Sequence, residues 1–282
     1  QGGFCPGGNE KDARRVVKGL SVIKVGGAVL EEERSMKAFL GHFSALAGPK
    51  VLVHGGGRTA TRVAGSLGIE SRMVGGRRVT DGKMLEVVTM VYGGLVNRRV
   101  VAALQSLGTD AVGLTGADMN VILSHKRKPK NVKLADGSEQ LVDYGFVGDV
   151  DKANGEGLAK IIQQGIIPVM APLTHDGTGH LLNTNADTIA STTAKALAPY
   201  FDVTLIYTFE HAGVLTDPDD ENSVIPHINK ESFEQFKADG TISGGMIPKI
   251  ENALEAIEAG VKKVIITHAN AIDGLHGTTI EN

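Results

Sequence analysis

The chain has 282 residues, 41% hydrophobic and 22% charged, which is enough to bury a full core in one large domain or two lobes. A net charge of -3 excludes a broad basic surface for nucleic acid, and 4% aromatics without tryptophan exclude a stacking platform for single strands. No run approaches 18 consecutive apolar residues, so no membrane partner is expected, and the lone Cys5 excludes an internal disulfide. The first residues lack the apolar stretch of a signal peptide, so a cytoplasmic protein is expected.

Residues 1–20 are polar and glycine-rich and read as a weakly structured lead-in. Residues 21–25 (SVIKV) predict a first strand that ends at Gly26-Gly27. Met36, Phe39, Leu40, Phe43 and Leu46 recur at helical spacing over 31–46. Residues 51–54 (VLVH) form a short apolar run, followed at once by three glycines and a helical pattern to about Leu67. Residues 74–81 (VGGRRVTD) read as a loop, from which Thr80 or Asp81 caps a long helix to about Leu107. That helix is apolar over a wide face that suits either a core or a subunit contact. Gly93-Gly94 in its middle marks a close helix approach or a break.

Residues 110–114 predict another buried strand, and 121–143 predict short antiparallel strands turning at Asp136-Gly137. The basic stretch 126–133 (KRKPKNVK) reads as a solvated hairpin or loop rather than a nucleic-acid patch. Helices are expected over 155–164, 185–197, 231–236 and 245–259, with strands over 166–171, 203–207 and 261–267. Strands that alternate with helices predict an α/β fold with a mainly parallel sheet covered on both faces. A change of composition at 174–179 (THDGTG) divides the chain into lobes 21–176 and 177–282.

The sequence has no Walker A motif, no zinc-protease or nucleophile-elbow motif and no cysteine pair for zinc, so no metal held by the protein is expected. Glycine beside a cation recurs instead. Lys24 lies inside the first strand, Arg78 follows Gly75-Gly76, and Lys249 follows Gly244-Gly245 by about one helical turn. A lysine within a strand is costly unless it meets a ligand or a carboxylate. Read singly, Lys24 also suits an edge strand, Lys249 a solvated helix position and Arg78 a surface loop. Glycine turns at strand ends gather on one edge of such a sheet, and helix N-termini there attract anions.

Gly55, Gly57 and Ala60 also fit the G-x-G-x-x-A dinucleotide pattern, but Glu70 falls too early for its ribose carboxylate. Residues 182–187 (LNTNAD) supply either a helix cap with a first-turn carboxylate or substrate contacts. Backbone donors with two lysines suit phosphoryl transfer, which needs alignment and cations more than covalent help.

In order, V-I-K-V-G-G, V-L-V-H-G-G-G, G-R-R-V-T-D, N-T-N-A-D and G-G-M-I-P-K resemble the amino acid kinase family over residues 22–259. The R-V-T-D and N-x-N-A-D elements resemble the members of arginine biosynthesis that act on N-acylated glutamate. The resemblance implies a three-layer αβα sandwich, with an acyl amino acid and homodimer lobe followed by an ATP lobe. It implies transfer of phosphate from ATP, with Mg2+ carried by the nucleotide, to the side-chain carboxylate of N-acetyl-L-glutamate, or of N-succinylglutamate. Another activity of the family, or a ligand-sensing relative without catalysis, is the alternative.

By this resemblance Lys24 and Lys249 stabilise the moving phosphoryl group, and Asp187 orients them. Gly26, Gly27 and Gly56 border that group, Gly27 and Gly56 through their N–H groups. Arg78, with Asn183 and Gly57, binds the substrate. Gly213, Val214, Leu215, Thr241, Ser243 and Gly245 border the nucleotide. The family's T-D-V-x-G-V-L stretch departs here, with Glu210 in place of an aspartate, and the end of the chain is shortened. The long helix of arginine-inhibited hexamers has no counterpart in residues 1–20, so a dimer without arginine feedback is expected.

Overall fold

The computed structural model of the chain describes residues 17–133 and 137–282. Cys5, residues 1–16 of the expected lead-in and Asp136 of the expected turn lie outside them. Eight strands form one sheet: β1 (Val17–Val25), β2 (Lys50–His54), β3 (Ala111–Leu114), β4 (Ile167–Met170), β5 (Phe201–Phe209), β6 (His227–Ile228), β7 (Lys263–His268) and β8 (Thr278–Ile280). Their order is β6-β8-β7-β5-β1-β2-β4-β3, with neighbours parallel except for the antiparallel β7–β8 pair. Strand β1 starts at Val17, earlier than its apolar run suggests, and a register shift separates Val17 from Leu20. Strand β8 follows residues 261–267, which the sequence offers as the last strand; three residues are too few to carry a period.

The helices are α1 (Gly27–Glu31), α2 (Glu33–Ala45), α3 (Gly57–Ser66), α4 (Gly82–Val88), α5 (Asn97–Ser106), α6 (Gly155–Gln163), α7 (Ala186–Leu197), α8 (Lys230–Ala238) and α9 (Met246–Glu258). The pattern over 31–46 is interrupted because Glu32 is extended and its carboxylate accepts from the N–H groups of Arg34 and Ser35. Successive β1 residues feed opposite cores. Val22 joins Leu205, Ile189 and Ile250 on one face, whereas Ile23 and Val25 join Phe39, Leu40 and Val100 on the other. These are the three layers, a sheet between two helical coats.

The run Gly82–Ser106 is, among the described residues, long and apolar enough to cross a membrane by length and composition alone. Val87, Val88, Val91 and Val100 are buried in a core, while Met90 and Leu95 are exposed. Its middle, Thr89–Val96, widens into a π-helix that joins α4 to α5. The helical run continues through Gly93-Gly94 without a break, and a Cβ on Gly93 would stand 3.4 Å from Leu173 Cδ1, an ordinary van der Waals contact.

The expected loop at 74–81 is in part a hairpin, Met73–Val74 against Arg77–Arg78, turning on Gly75 and Gly76 at positive φ. This brings Arg78 inward, where it is buried. A second sheet has the order Leu181–Asn183, Leu173–His175, Ile122–Lys126 and Gly148–Ala153. Residues 174–179 run into the connection between its antiparallel strands Leu173–His175 and Leu181–Asn183, which lead into α7. Residues 126–133 belong partly to a further antiparallel hairpin, Lys130–Lys133 with Glu139–Val142.

Candidate active site

Five helices that rise from loops, α2, α4, α6, α7 and α8, have a side chain capping the first turn: Glu32, Asp81, Asn154, Asn185 and Asn229. Helices α1, α3 and α9 begin instead at Gly26, Gly56 and Gly245, with no side-chain cap and no acidic residue in the first turn. Their N–H groups are free of capping side chains. The longer α3 and α9 add a helix dipole that favours an anion.

The first two of these starts pack backbone to backbone. A Cβ on Gly27 would stand 3.2 Å from the Gly56 nitrogen, and one on Gly55 would stand 3.3 Å from the Gly27 nitrogen. The Gly55 N–H donates to the Val25 carbonyl at 3.1 Å. His54, wholly buried, lies 2.8 Å from the Gly55 carbonyl through Nδ1 and 3.0 Å from Asn97 Nδ2 through Nε2. Burial lowers its pKa from 6.5 to about 4, so the ring is neutral. A carbonyl only accepts, so Nδ1–H donates to Gly55 and Nε2 accepts from Asn97. The same Asn97 Nδ2 donates to the Val169 carbonyl, which ties the turn to β4 and α5.

Lys24 pairs in register with Val53 on β2 and Tyr207 on β5, in the interior of the sheet. Its Nζ is 2.9 Å from Asp187 Oδ1 in the first turn of α7. Lys249, in the first turn of α9, places Nζ 3.8 Å from the centroid of the Phe209 ring; Lys24 Nζ is 5.8 Å from the same centroid. Burial pushes the Lys249 ammonium below its ordinary pKa, the Asp187 charge opposes that fall and the Lys24 charge adds to it. Asp187, Tyr207, Phe209, Lys249 and Asn252 line a cavity of about 30 Å³. The Tyr207 hydroxyl donates to the Asp187 carbonyl at 3.2 Å, and burial raises its pKa.

A cleft of about 190 Å³ adjoins the glycine turn and is lined by Gly55, Gly56, Gly57, Arg78 and Asn183, among others. Arg78 donates through Nη2 to the Gly57 carbonyl at 2.8 Å and to Thr61 Oγ1 at 2.9 Å, and through Nη1 to Ser71 Oγ. Asn183 Nδ2 donates to Thr80 Oγ1 at 2.9 Å. Arg77 and Arg127 also line the cleft, and among the described residues no carboxylate does.

Sequence reasoning missed Arg127, Tyr92 and Phe209 as site residues. Arg127 donates through Nε and Nη2 to Asp149, whose carboxyl it holds below the usual range; among the described residues its buried Nη1 has no acceptor. Within KRKPKNVK nothing distinguishes this cation from its solvated neighbours. Tyr92 lies in the π-helix, its ring against the turn, so that a Cβ on Gly56 would stand 2.9 Å from Tyr92 Cδ1. In the sequence it looks like one more apolar helix position.

The expected nucleotide residues form two groups, neither of which lines the cleft or the small cavity except through its neighbours. Gly213, Val214 and Leu215 follow β5; the Val214 N–H donates to Thr278 Oγ1 at 2.8 Å, and Leu215 bridges to Val224. Glu210 is exposed, 3.9 Å from Arg58 on α3. Thr241 donates its N–H to Asp239 at 2.9 Å, and Ser243 and Gly245 lead into α9, whose first turn carries Lys249.

A sequence model of the Amino acid kinase family matches residues 19–268. Acetylglutamate kinase of Phocaeicola vulgatus is 61% identical over 262 residues, 93% of this chain and 98% of that protein. The enzyme of the same name from Bacteroides thetaiotaomicron is 60% identical with the same coverage, and that of Methanopyrus kandleri 38% identical over 93% of this chain and all of its own. Among solved structures, a Streptococcus mutans protein has a TM-score of 0.72 at 27% identity, covering 93% of this chain and 98% of its own. Carbamate kinase of Giardia shares the fold with a TM-score of 0.63 at 16% identity, covering 93% and 98%. With its αβα layers, mainly parallel sheet and glycine-lined edge, the chain belongs to the amino acid kinase family.

Proposed function

We infer that the chain is an ATP-dependent kinase that phosphorylates the side-chain carboxylate of N-acetyl-L-glutamate in arginine biosynthesis. The observation that supports this most is the gathering of Lys24, Lys249 and Asp187 beside two uncapped glycine turns and a cleft lined by three arginines. The substrate carboxylate is already ionised near neutral pH and needs no general base. One of its oxygens bonds to the γ-phosphorus as the bond from that phosphorus to the β,γ-bridging oxygen breaks; ADP leaves with the electron pair. The Lys24 and Lys249 ammonium groups and the Gly27 and Gly56 N–H groups offset charge on the transferred oxygens.

Asp187 faces Lys24 and keeps positive charge favourable at Lys249. Arg78, Asn183 and Gly57 hold the acyl amino acid in the lobe 21–176. The second lobe, 177–282, holds ATP, with Gly213 to Leu215, Thr241, Ser243 and the start of α9 around it and Glu210 at its rim. Magnesium would be carried by the nucleotide, where it would offset phosphate charge. Among the described residues, Asp187 is the one carboxylate that lines either cavity, and it is engaged with Lys24. Exposed Met90 and Leu95 give a homodimer its contact face. One observation favours a succinyl acyl group as a second reading: Arg127 adds a cation to the cleft beyond Arg77 and Arg78.

Trapping the product with hydroxylamine tests the reaction. With MgATP and N-acetyl-L-glutamate, hydroxamate is expected to accumulate in step with ADP. ADP release without hydroxamate would contradict an acyl phosphate product.

A further inference from the structure

Lys249 has a difficulty that the ion pair at Asp187 does not remove. Lys24 holds Asp187 Oδ1 at 2.9 Å, and among the described residues no carboxylate lies within 4.0 Å of Lys249. Burial acts against its charge, and so does Lys24, while Asp187 acts for it from beyond ion-pair distance. A phosphoryl-transfer lysine works only as the ammonium ion.

A favourable partner is the face of the Phe209 ring, 3.8 Å from Nζ to the centroid. An aromatic face carries the negative part of a quadrupole and attracts a cation, more strongly where water is excluded. Phe209 closes β5, and its ring centroid lies 6.4 Å from that of Tyr207, whose hydroxyl is tied to the Asp187 backbone. The strand that sets Asp187 therefore also sets the ring.

We propose that Phe209 is a positioning residue that holds the Lys249 side chain charged and aimed at the reacting phosphoryl group through a cation–π contact. The catalytic half of this inference rests on the kinase reading above; the contact itself does not.

Replacing Phe209 with 4-fluoro-, 3,5-difluoro- and 3,4,5-trifluorophenylalanine withdraws charge from the ring face while nearly preserving its shape. The Lys249 titration is followed by NMR in the intact protein with lysine labelled with 13C at Cε, its resonance identified by loss in Lys249→Arg. In parallel, kcat and KM are measured with MgATP and N-acetyl-L-glutamate. The Lys249 pKa is expected to fall stepwise with fluorine, to a total of about one unit, and kcat, at a fixed pH above the Lys249 pKa found by that titration, to fall by up to about tenfold with an unchanged KM for the acyl amino acid. A Lys249 pKa that does not move along the series overturns the proposal, and so does a constant kcat in a series whose pKa falls. If the unsubstituted protein phosphorylates no N-acyl glutamate while the pKa series falls, the kinase reading fails and the contact stands.

Discussion

The Lys24 ammonium and the Asp187 carboxylate stand 2.9 Å apart, one inside the central sheet and one in the first turn of α7. The pair explains how a lysine survives within a buried strand, and it sets the charge balance for Lys249. Asp187→Asn removes the charge that opposes deprotonation of Lys249. Turnover is expected to fall by about 10²-fold or more, and the alkaline limb of the kcat profile to move to lower pH. An unchanged alkaline limb would show that Asp187 does not act on the lysines through charge.

Gly27 permits the close approach of two backbones, and a methyl group there would meet the Gly56 nitrogen at 3.2 Å. Backbone yields less readily than a flexible side-chain end. Gly27→Ala is therefore expected to lower kcat by about 10²-fold, because Gly56 and its N–H group must shift. Gly65→Ala, facing open space near the end of α3, is the control and is expected to stabilise by about 0.5–1 kcal/mol without loss of turnover. Equal turnover in both variants would contradict the donor role of the glycine turn.

His54 links protonation to stability. Its folded pKa, about 4, lies below its ordinary 6.5, so the unfolded chain takes up a proton here that the folded chain refuses. Stability from this residue is complete above about pH 6.5, is lost as pH falls towards 4, and amounts at most to about 3 kcal/mol. Measured by Tm between pH 7.5 and 4.5, His54→Gln is expected to be less stable at the upper end and to show a flatter acid slope than the unsubstituted protein. Identical slopes would mean that His54 is not the group refusing the proton.

Met90 and Leu95 face outward on the Gly82–Ser106 run, where two charges should oppose self-association. Sedimentation is expected to show a dimer for the unsubstituted protein and a monomer for Met90→Lys/Leu95→Lys. A dimer in both would place the contact elsewhere.

The layered fold was legible because its signals are local: apolar runs for β1, β2 and β4, and helical spacing for α2, α7 and α9. The lysines were legible because Lys24 breaks an apolar strand, a costly choice that asks for a partner. Arg127, Tyr92 and Phe209 were not, because their roles come from tertiary placement. Arg127 meets Asp149 across paired strands, Tyr92 reaches Gly56 from a π-helical stretch, and Phe209 meets a lysine forty positions away. The Arg77–Arg78 hairpin escaped notice for a similar reason, since two-residue strands have no period to read. The three uncapped helix starts became distinctive only against the five side-chain caps elsewhere in the fold.

The most direct test of the account is ADP formation with MgATP and a panel of N-acetyl-, N-succinyl- and free L-glutamate, run on the unsubstituted protein, Lys24→Ala and Lys249→Ala. The account predicts turnover on an N-acyl glutamate, little on free glutamate, and a loss of about 10²–10³-fold in each folded lysine variant. Near-normal turnover in either variant, or no turnover on any N-acyl glutamate, would contradict it.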